Sequence, residues 1–484
     1  ILKRRSKESY FSASSFANRI KWVAISLLFL GFYITSCKKF VAIDLPDTLL
    51  SAQSVFNDNG TATSAMTYIY SYMYSQKFSY NFSGLTTGLM SDELKCNSST
   101  NVYYLNNLVS TAGIFPWSDA YNFIYKSNAV IEGLALSTGV SEAVKSQLTG
   151  EAKFIRAFCH FYLVNCYGDV PLVTSTDYQV NSKIARSPTT DVYRQIITDL
   201  KDAETLLNSD YVDFYNATGT SERTRPTKWA AKALMARAYL YMGKNDSAEL
   251  KATEVINNTD KYGLLPNLNT VFVANSGEAI WQLQPPGPNT SVSTVDGSNF
   301  VLTGAPTGDK PFCSPQLLDS FETGDQRRIN WVHDTIFGGQ PYSYPHKYKQ
   351  GFIYSSSKPL EYTMVFRLAE QYLIRAEARA KQNNLSGAKS DLNAIRHRAG
   401  LADYAGANTQ TAILDAILHE RQVELFTEWG HRWFDLIRTG KIDEVMNVVA
   451  PLKGGTWDDF DKLFPIPLTE IQNDPNLTQN PGYH

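Results

Sequence analysis

RLAEQYLIRAEARAKQNNLSGAKSDLNAIR, residues 367–396, carries small and apolar residues at three- and four-residue spacing, pauses at Gln382-Asn383-Asn384, and resumes the same spacing through Ile395. The pattern predicts two helices joined by a short turn. Alanines at 369, 376, 378, 380 and 388 leave only methyl groups between the paired backbones, so the helices can approach closely. KWAAKALMARAYLYMGKNDSAELKATEVIN, residues 228–257, repeats the arrangement: a small-residue helix, a Gly/Asn turn, an Ala and a second helix.

Both stretches look like helix pairs of the tetratricopeptide kind, and a third pair is predicted over 118–167. Helical periodicity covers 61–75, 118–136, 141–167, 189–208, 227–242, 246–257, 362–382, 386–398, 410–429 and 431–437, while strand signals are confined to 279–283, 329–332 and 352–354. The pairs do not recur at a fixed period. Inserts at 76–117, 209–226, 258–312 and 333–361, rich in Gly, Ser, Thr, Asn, Pro and aromatic residues, separate them. The expected fold is therefore mainly α: a scaffold of tetratricopeptide-like helix pairs with long loop inserts and a few short strands, in one large or two ordinary domains and not an open solenoid. Loops of that length in a compact protein are usually functional, and their aromatic content favours order.

The chain has 484 residues, 43% hydrophobic and 13% aromatic, enough for a large core. Residues 1–36 read as an export signal, with Lys3, Arg4, Arg5, Lys7, Arg19 and Lys21 ahead of the apolar run from Trp22 to Ile34. Ile34-Thr35-Ser36-Cys37 resembles a bacterial lipobox, which implies a lipid on Cys37 and a body tethered to a membrane from residue 37 onward. The leader holds six of the 45 basic and one of the 47 acidic residues, which leaves a body of net charge about −7. That balance argues against nucleic acid as a partner. Cys159 and Cys166, seven apart on a helix, are about 10 Å apart and are expected as buried free thiols; a bridge between Cys96 and Cys313 is left open.

Enzyme signatures are lacking. The sequence contains no GxxxxGK[ST], HExxH, GxSxG or CxxC, and His419-Glu420 is followed by Val423 where a zincin would need His. No metal site or cofactor is expected. Asp92-Glu93 and Asp458, Asp459 and Asp461 are the carboxylate groups a glycosidase would need, although acidic surface or helix caps explain them as well. From 414 to 437, Leu414, Leu418, Leu425, Trp429, Trp433 and Ile437 form an apolar stripe. Beside it Glu420, Glu424 and Glu428 align at four-residue spacing, with Glu428–Arg432 and Asp435–Arg438 expected as local ion pairs.

ILHERQVELFTEWGHRWFDLIRTGK (417–441) resembles the signature of the SusD/RagB family of cell-surface glycan-binding lipoproteins. GEAKFIRAFCHFYLVNCYGDVPLV (150–173), YLIRAEARAKQ (372–382) and LFPIPLTEIQNDPNLTQNPGY (463–483) are similar to three further family segments, in the same order. One departure is His431, inserted between Gly430 and the Arg-Trp pair. The resemblance implies one SusD-like domain over 37–484, with an N-terminal part to about 257 and a C-terminal part from about 258. It implies a non-catalytic outer-membrane lipoprotein that captures oligosaccharide and passes it to a SusC-like TonB-dependent transporter, against which the helix pairs pack. It also points to two inserts for the ligand: 90–107, with Asp92, Asn101, Tyr103 and Tyr104, and the insert after the 278–284 strand, with Asn299, Phe300 and Phe312. Aromatic faces stack on sugar rings while amides and carboxylates bond the hydroxyls. A surface-anchored glycoside hydrolase and a tetratricopeptide-type assembly protein are the competing readings.

Overall fold

Asp58 opens the first long helix by accepting from the backbone N–H groups of Gly60 and Thr61 at 2.8 and 3.0 Å. In the structure, a computed structural model, residues 55–76, 78–79, 84–111, 116–287 and 290–483 are described. Cys37 and the leader lie outside the described residues.

In chain order the first half contains α1 (Asn59–Ser75), α2 (Leu85–Met90), β1 (Leu94–Lys95), α3 (Trp117–Leu136), α4 (Glu142–Tyr167), β2 (Val170–Pro171), α5 (Tyr178–Asn181), β3 (Arg186–Ser187), α6 (Thr189–Leu206), α7 (Lys228–Tyr241) and α8 (Asn245–Ile256). The second half contains β4 (Ala279–Leu283), β5 (Thr290–Ser291), α9 (Val295–Phe300), β6 (Phe312–Cys313), α10 (Pro315–Asp319), α11 (Gln326–Asn330), β7 (Val332–Phe337), β8 (Gln340–Pro345), β9 (Tyr354–Ser355) and β10 (Thr363–Arg367). It closes with α12 (Leu368–Lys381), α13 (Leu385–Arg398), α14 (Gln410–Leu425), α15 (His431–Arg438), α16 (Ile442–Lys453) and α17 (Leu468–Asn473).

The helix pairs stack on one another. α3 packs on α4, α4 on α6, α7 on α8, α8 on α12, and α12 on α13 and α14, so the two quoted pairs are neighbours in space despite the insert between them. The alanines make this possible: Ala236, Ala248, Ala252 and Ala378 meet Leu240 and Ile374 at one seam. Ala376, Ala380 and Ala388 meet Leu392, Ile413 and Ile417 at the next. Beside the stack lies an aromatic core, in which Phe158 meets Trp281 at 5.6 Å and Trp429 at 5.4 Å between centroids, both edge to face. β4 and β10 pair antiparallel across this core.

Several expectations need correction. Residues 363–367 do not begin the 362–382 helix but form β10; the Thr-Met-Val-Phe run pairs with β4, and the helix starts only after the extended Arg367 (φ −139°, ψ 158°). The 329–332 strand is displaced, because Asp325 accepts from the N–H of Arg327 and caps a helical turn over 326–330, with the strand beginning at Val332. The 410–429 helix ends at Leu425, and Thr427 (φ 51°), Trp429 (φ 44°) and Gly430 (φ 73°) turn the chain into α15. The buried stripe of α14 is Ile413 and Ile417 in place of Leu414 and Leu418, which are half-exposed. α16 had no counterpart among the expected helices. All four described cysteines are buried and free, so Cys96 and Cys313 are not bridged even though β1 and β6 lie side by side.

Candidate functional site

The charges of 420–438 form a buried network whose partners come mostly from far along the chain. Arg327 reaches Glu420 at 2.6 Å and Glu424 at 3.0 Å, Arg367 reaches Glu428 at 2.8 Å, and Arg398 also pairs with Glu424. Lys347 donates to the Glu424 and Phe426 carbonyls at 2.9 and 2.8 Å and to Glu428, capping the buried C-terminal end of α14. Burial alone would raise the Glu424 carboxyl; Arg398, Arg367 and Arg327 overcome it and hold the group well below the usual carboxylate range. The expected Asp435–Arg438 pair is present at 2.8 Å. The expected Glu428–Arg432 pair is not, because Arg432 turns to Asp92 at 2.6 Å. The chain bends between 425 and 431, so four-residue spacing no longer places those two side chains together. His431 opens α15 and is itself buried, 4.0 Å from Glu370.

Asp92 therefore connects this network to the first insert. Beside it Glu93 is buried and its carboxyl is pushed up to about 8, first by burial and then by the Asp92 charge, with the Thr427 N–H donating to Oε2 at 3.2 Å. Lys453 of α16 fixes the same segment from the other side. Its ammonium donates to the carbonyls of Leu89 (2.7 Å), Met90 (3.0 Å) and Ser91, and burial pushes its pKa down to about 7. Asp92, Lys95, Tyr104, Gln316 and Lys453 border a cavity of about 230 Å³.

Three inserts converge here. β1 pairs with β6, matching Leu94 with Cys313 and Lys95 with Phe312, and the Lys95 ammonium sits 5.2 Å from the Phe312 ring centre. Asn97 extends the seam by donating from Nδ2 to the Pro306 carbonyl at 2.7 Å. Asn101 Oδ1 accepts from the N–H groups of Tyr103 and Tyr104 at 3.0 and 2.9 Å and sets the turn that carries both rings. Tyr104 and Phe300 pack in one cluster with Leu89, Leu94 and Cys96. The third insert joins through Gly297, where a Cβ would stand 2.0 Å from the Gln350 carbonyl, so only glycine admits the approach. β5 then pairs with β9, and along the same edge the Val292 N–H donates to the Ile353 carbonyl at 3.0 Å while the Ile353 N–H donates to Ser293 Oγ at 2.6 Å.

The residues singled out from the sequence are thus brought to one region, but at different depths. Asp92, Tyr104, Asn299, Phe300 and Phe312 are buried, whereas Asn101 and Tyr103 are half-buried. The rings that face solvent are Phe352 (72% exposed) and Tyr354 (70%), on the insert at 333–361. Sequence reasoning noted that insert's aromatic content but had no way to rank its rings by exposure. Asp458 and Asp461 form a capping box around a single helical turn, the cap reading of those acids. Among the described residues no group of His, Cys, Asp and Glu is placed to hold a metal ion, and no helix is long and apolar enough to cross a membrane.

Comparison with known proteins bears on the whole scaffold. The model described as "SusD family" matches residues 321–483 and that described as "Starch-binding associating with outer membrane" matches 43–240. SusD-like protein P25 of Formosa agariphila is 25% identical over 95% of this chain and 99% of its own length. Starch-binding protein SusD of Bacteroides thetaiotaomicron is 25% identical over 71% of this chain and 74% of its own. Among solved structures, a laminarin-binding SusD-like protein superposes with a TM-score of 0.69 at 25% identity, covering 88% of this chain and all of that one. A SusD homolog from Bacteroides thetaiotaomicron gives 0.76 at 18% identity, covering 89% and 98%. With both halves matched by the paired models, the same helix stack in solved relatives and the 417–441 signature folded into the network that holds it, the chain belongs to the SusD/RagB family.

Proposed function

We propose that the chain is a non-catalytic glycan-binding lipoprotein that captures oligosaccharide on the face where the inserts at 90–107, 290–312 and 333–361 meet. The single observation that carries this reading is the pair of exposed rings, Phe352 and Tyr354, flanking Ile353, whose carbonyl accepts from Val292 and whose N–H donates to Ser293, with Tyr354 itself on the short β5–β9 pair. An exposed aromatic on a fixed backbone stacks on a sugar ring at little ordering cost. Tyr104, Asn299, Phe300, Phe312 and Asp92 hold the loops from behind. Relatives named for starch and laminarin binding support the substrate class. The Cys37 lipobox and the family description support attachment at the outer membrane, where a SusC-like TonB-dependent transporter receives the glycan. Catalysis is disfavoured because Asp92 is neutralised by Arg432 and Asp461 is taken up in a cap.

Calorimetry with malto- and laminari-oligosaccharides tests the reading. Saturable binding that weakens in Phe352→Ala/Tyr354→Ala, with no shortened products by chromatography, is the expected result. Products that accumulate with time would favour the hydrolase instead.

A further inference from the structure

On α3, Tyr121 and Tyr125 stand one helical turn apart beside a groove of about 450 Å³ that shares no lining residue with the loop cavity at Asp92 and Lys453. The volume falls in the range of small-ligand sites, roughly 300–1,000 Å³. Tyr121 is fixed: its hydroxyl donates to the Pro171 carbonyl at 2.9 Å and its ring packs on Trp117 at 4.9 Å between centroids. Tyr125, 53% exposed, offers a free ring surface at the rim. Asn181, Asn473, Glu470 and Asp474 also line the groove. Asn181 donates from Nδ2 to the Ser175 carbonyl at 2.8 Å, while its Oδ1 is buried without a donor among the described residues. Asn473 and the carboxylates of Glu470 and Asp474 come from α17 and the residue after it.

No Lys or Arg lines this groove. Arg186, which lies near Tyr121, is already committed to the carbonyls of Tyr167, Asp169 and Thr478 at 3.0, 2.7 and 2.9 Å. An anionic ligand would be desolvated against two carboxylates with no Lys or Arg in the lining to bond it, and a purely apolar one would leave the buried amide oxygen unbonded. A neutral polyhydroxylated ring meets both conditions, since its C–H face stacks on tyrosine and its hydroxyls donate to Asn and carboxylate oxygens.

We propose that the Tyr121–Tyr125 groove is a second carbohydrate site, taking a neutral pyranose unit stacked on Tyr125 and hydrogen-bonded by Asn181 and Asn473. The inference rests on the reading of the chain as a glycan binder and adds a separate point of attachment. Two sites engaging one long glycan would raise its avidity without any change at either site.

The test uses the intact chain with maltoheptaose, laminarihexaose and a sulfated carrageenan oligosaccharide, by calorimetry and by crystals soaked in each. The expected result is a neutral oligosaccharide beside Tyr125. Tyr125→Ala should weaken binding there at least tenfold with unchanged thermal stability, and Phe352→Ala/Tyr354→Ala should leave the groove occupied. An empty groove in crystals whose loop face is filled overturns the second site and leaves the proposed function intact. The sulfated probe bound in the groove overturns the neutral assignment. Neither site occupied by any probe overturns both readings.

Discussion

In the 420–438 segment each carboxylate from Glu420 to Asp435 is buried against an arginine or lysine, whereas in the 350–355 segment Phe352 and Tyr354 stand in solvent with nothing packed over them. Both stretches are dense in side chains that invite a functional reading. The difference is whether the protein itself already satisfies them. Buried charge that is fully paired has no capacity left for a ligand, and its removal is felt as lost stability. Exposed rings contribute little to folding and remain available.

The contrast can be broken most severely at Glu424. Glu424→Ala leaves Arg327, Arg367 and Arg398 short of a buried counter-charge and should cost about 3–5 kcal/mol, read by chemical denaturation. A loss under 1 kcal/mol would mean the network is not what holds these elements together. Glu93→Gln comes next and depends on pH. The folded carboxyl titrates near 8, above its ordinary value of 4.5, so the native state binds the proton more tightly than the unfolded chain. Its stabilising contribution is complete below about pH 4.5 and is lost as pH rises toward 8. Glutamine mimics the protonated form, so the variant should match the wild type near pH 4 and exceed it by roughly 4 kcal/mol at pH 8. Parallel stability curves across that window would refute the assignment.

Asn101→Ala removes the acceptor for two backbone N–H groups and should cost about 1 kcal/mol, with some loss of glycan affinity as the Tyr103 turn loosens. Phe352→Ala/Tyr354→Ala should shift stability least, within about 0.5 kcal/mol, while lowering affinity about tenfold or more. If the last variant melted early and bound normally, the two regions would have to exchange roles.

Much of the helical scaffold was legible because period and alanine content are local properties. The 228–257 and 367–396 pairs could be placed from spacing alone, and α4, α6 and α13 fall within a residue or two of the expected bounds. What spacing could not supply was anything decided by a distant partner. Thr363–Arg367 reads as the start of a helix until β4 is beside it. Glu428 and Arg432 read as a pair until Lys347, Arg367 and Asp92 claim them. At the candidate face, the residue types were readable but their depth was not. Phe300 and Tyr354 are equally aromatic in the sequence, and only the packing of Phe300 against Leu89 and Tyr104 separates support from surface.

β5 and β9 are two residues each, and together with the Gly297 approach they fasten the 350–355 segment to the remainder. So small a fastening makes the segment exchangeable. A loop of another length and composition needs only to restore one short antiparallel register and leave Gly297 uncrowded, while the arginine network beneath goes on folding unchanged. If the proposed glycan face is right, a laboratory graft of this loop between relatives should transfer ligand preference along with it.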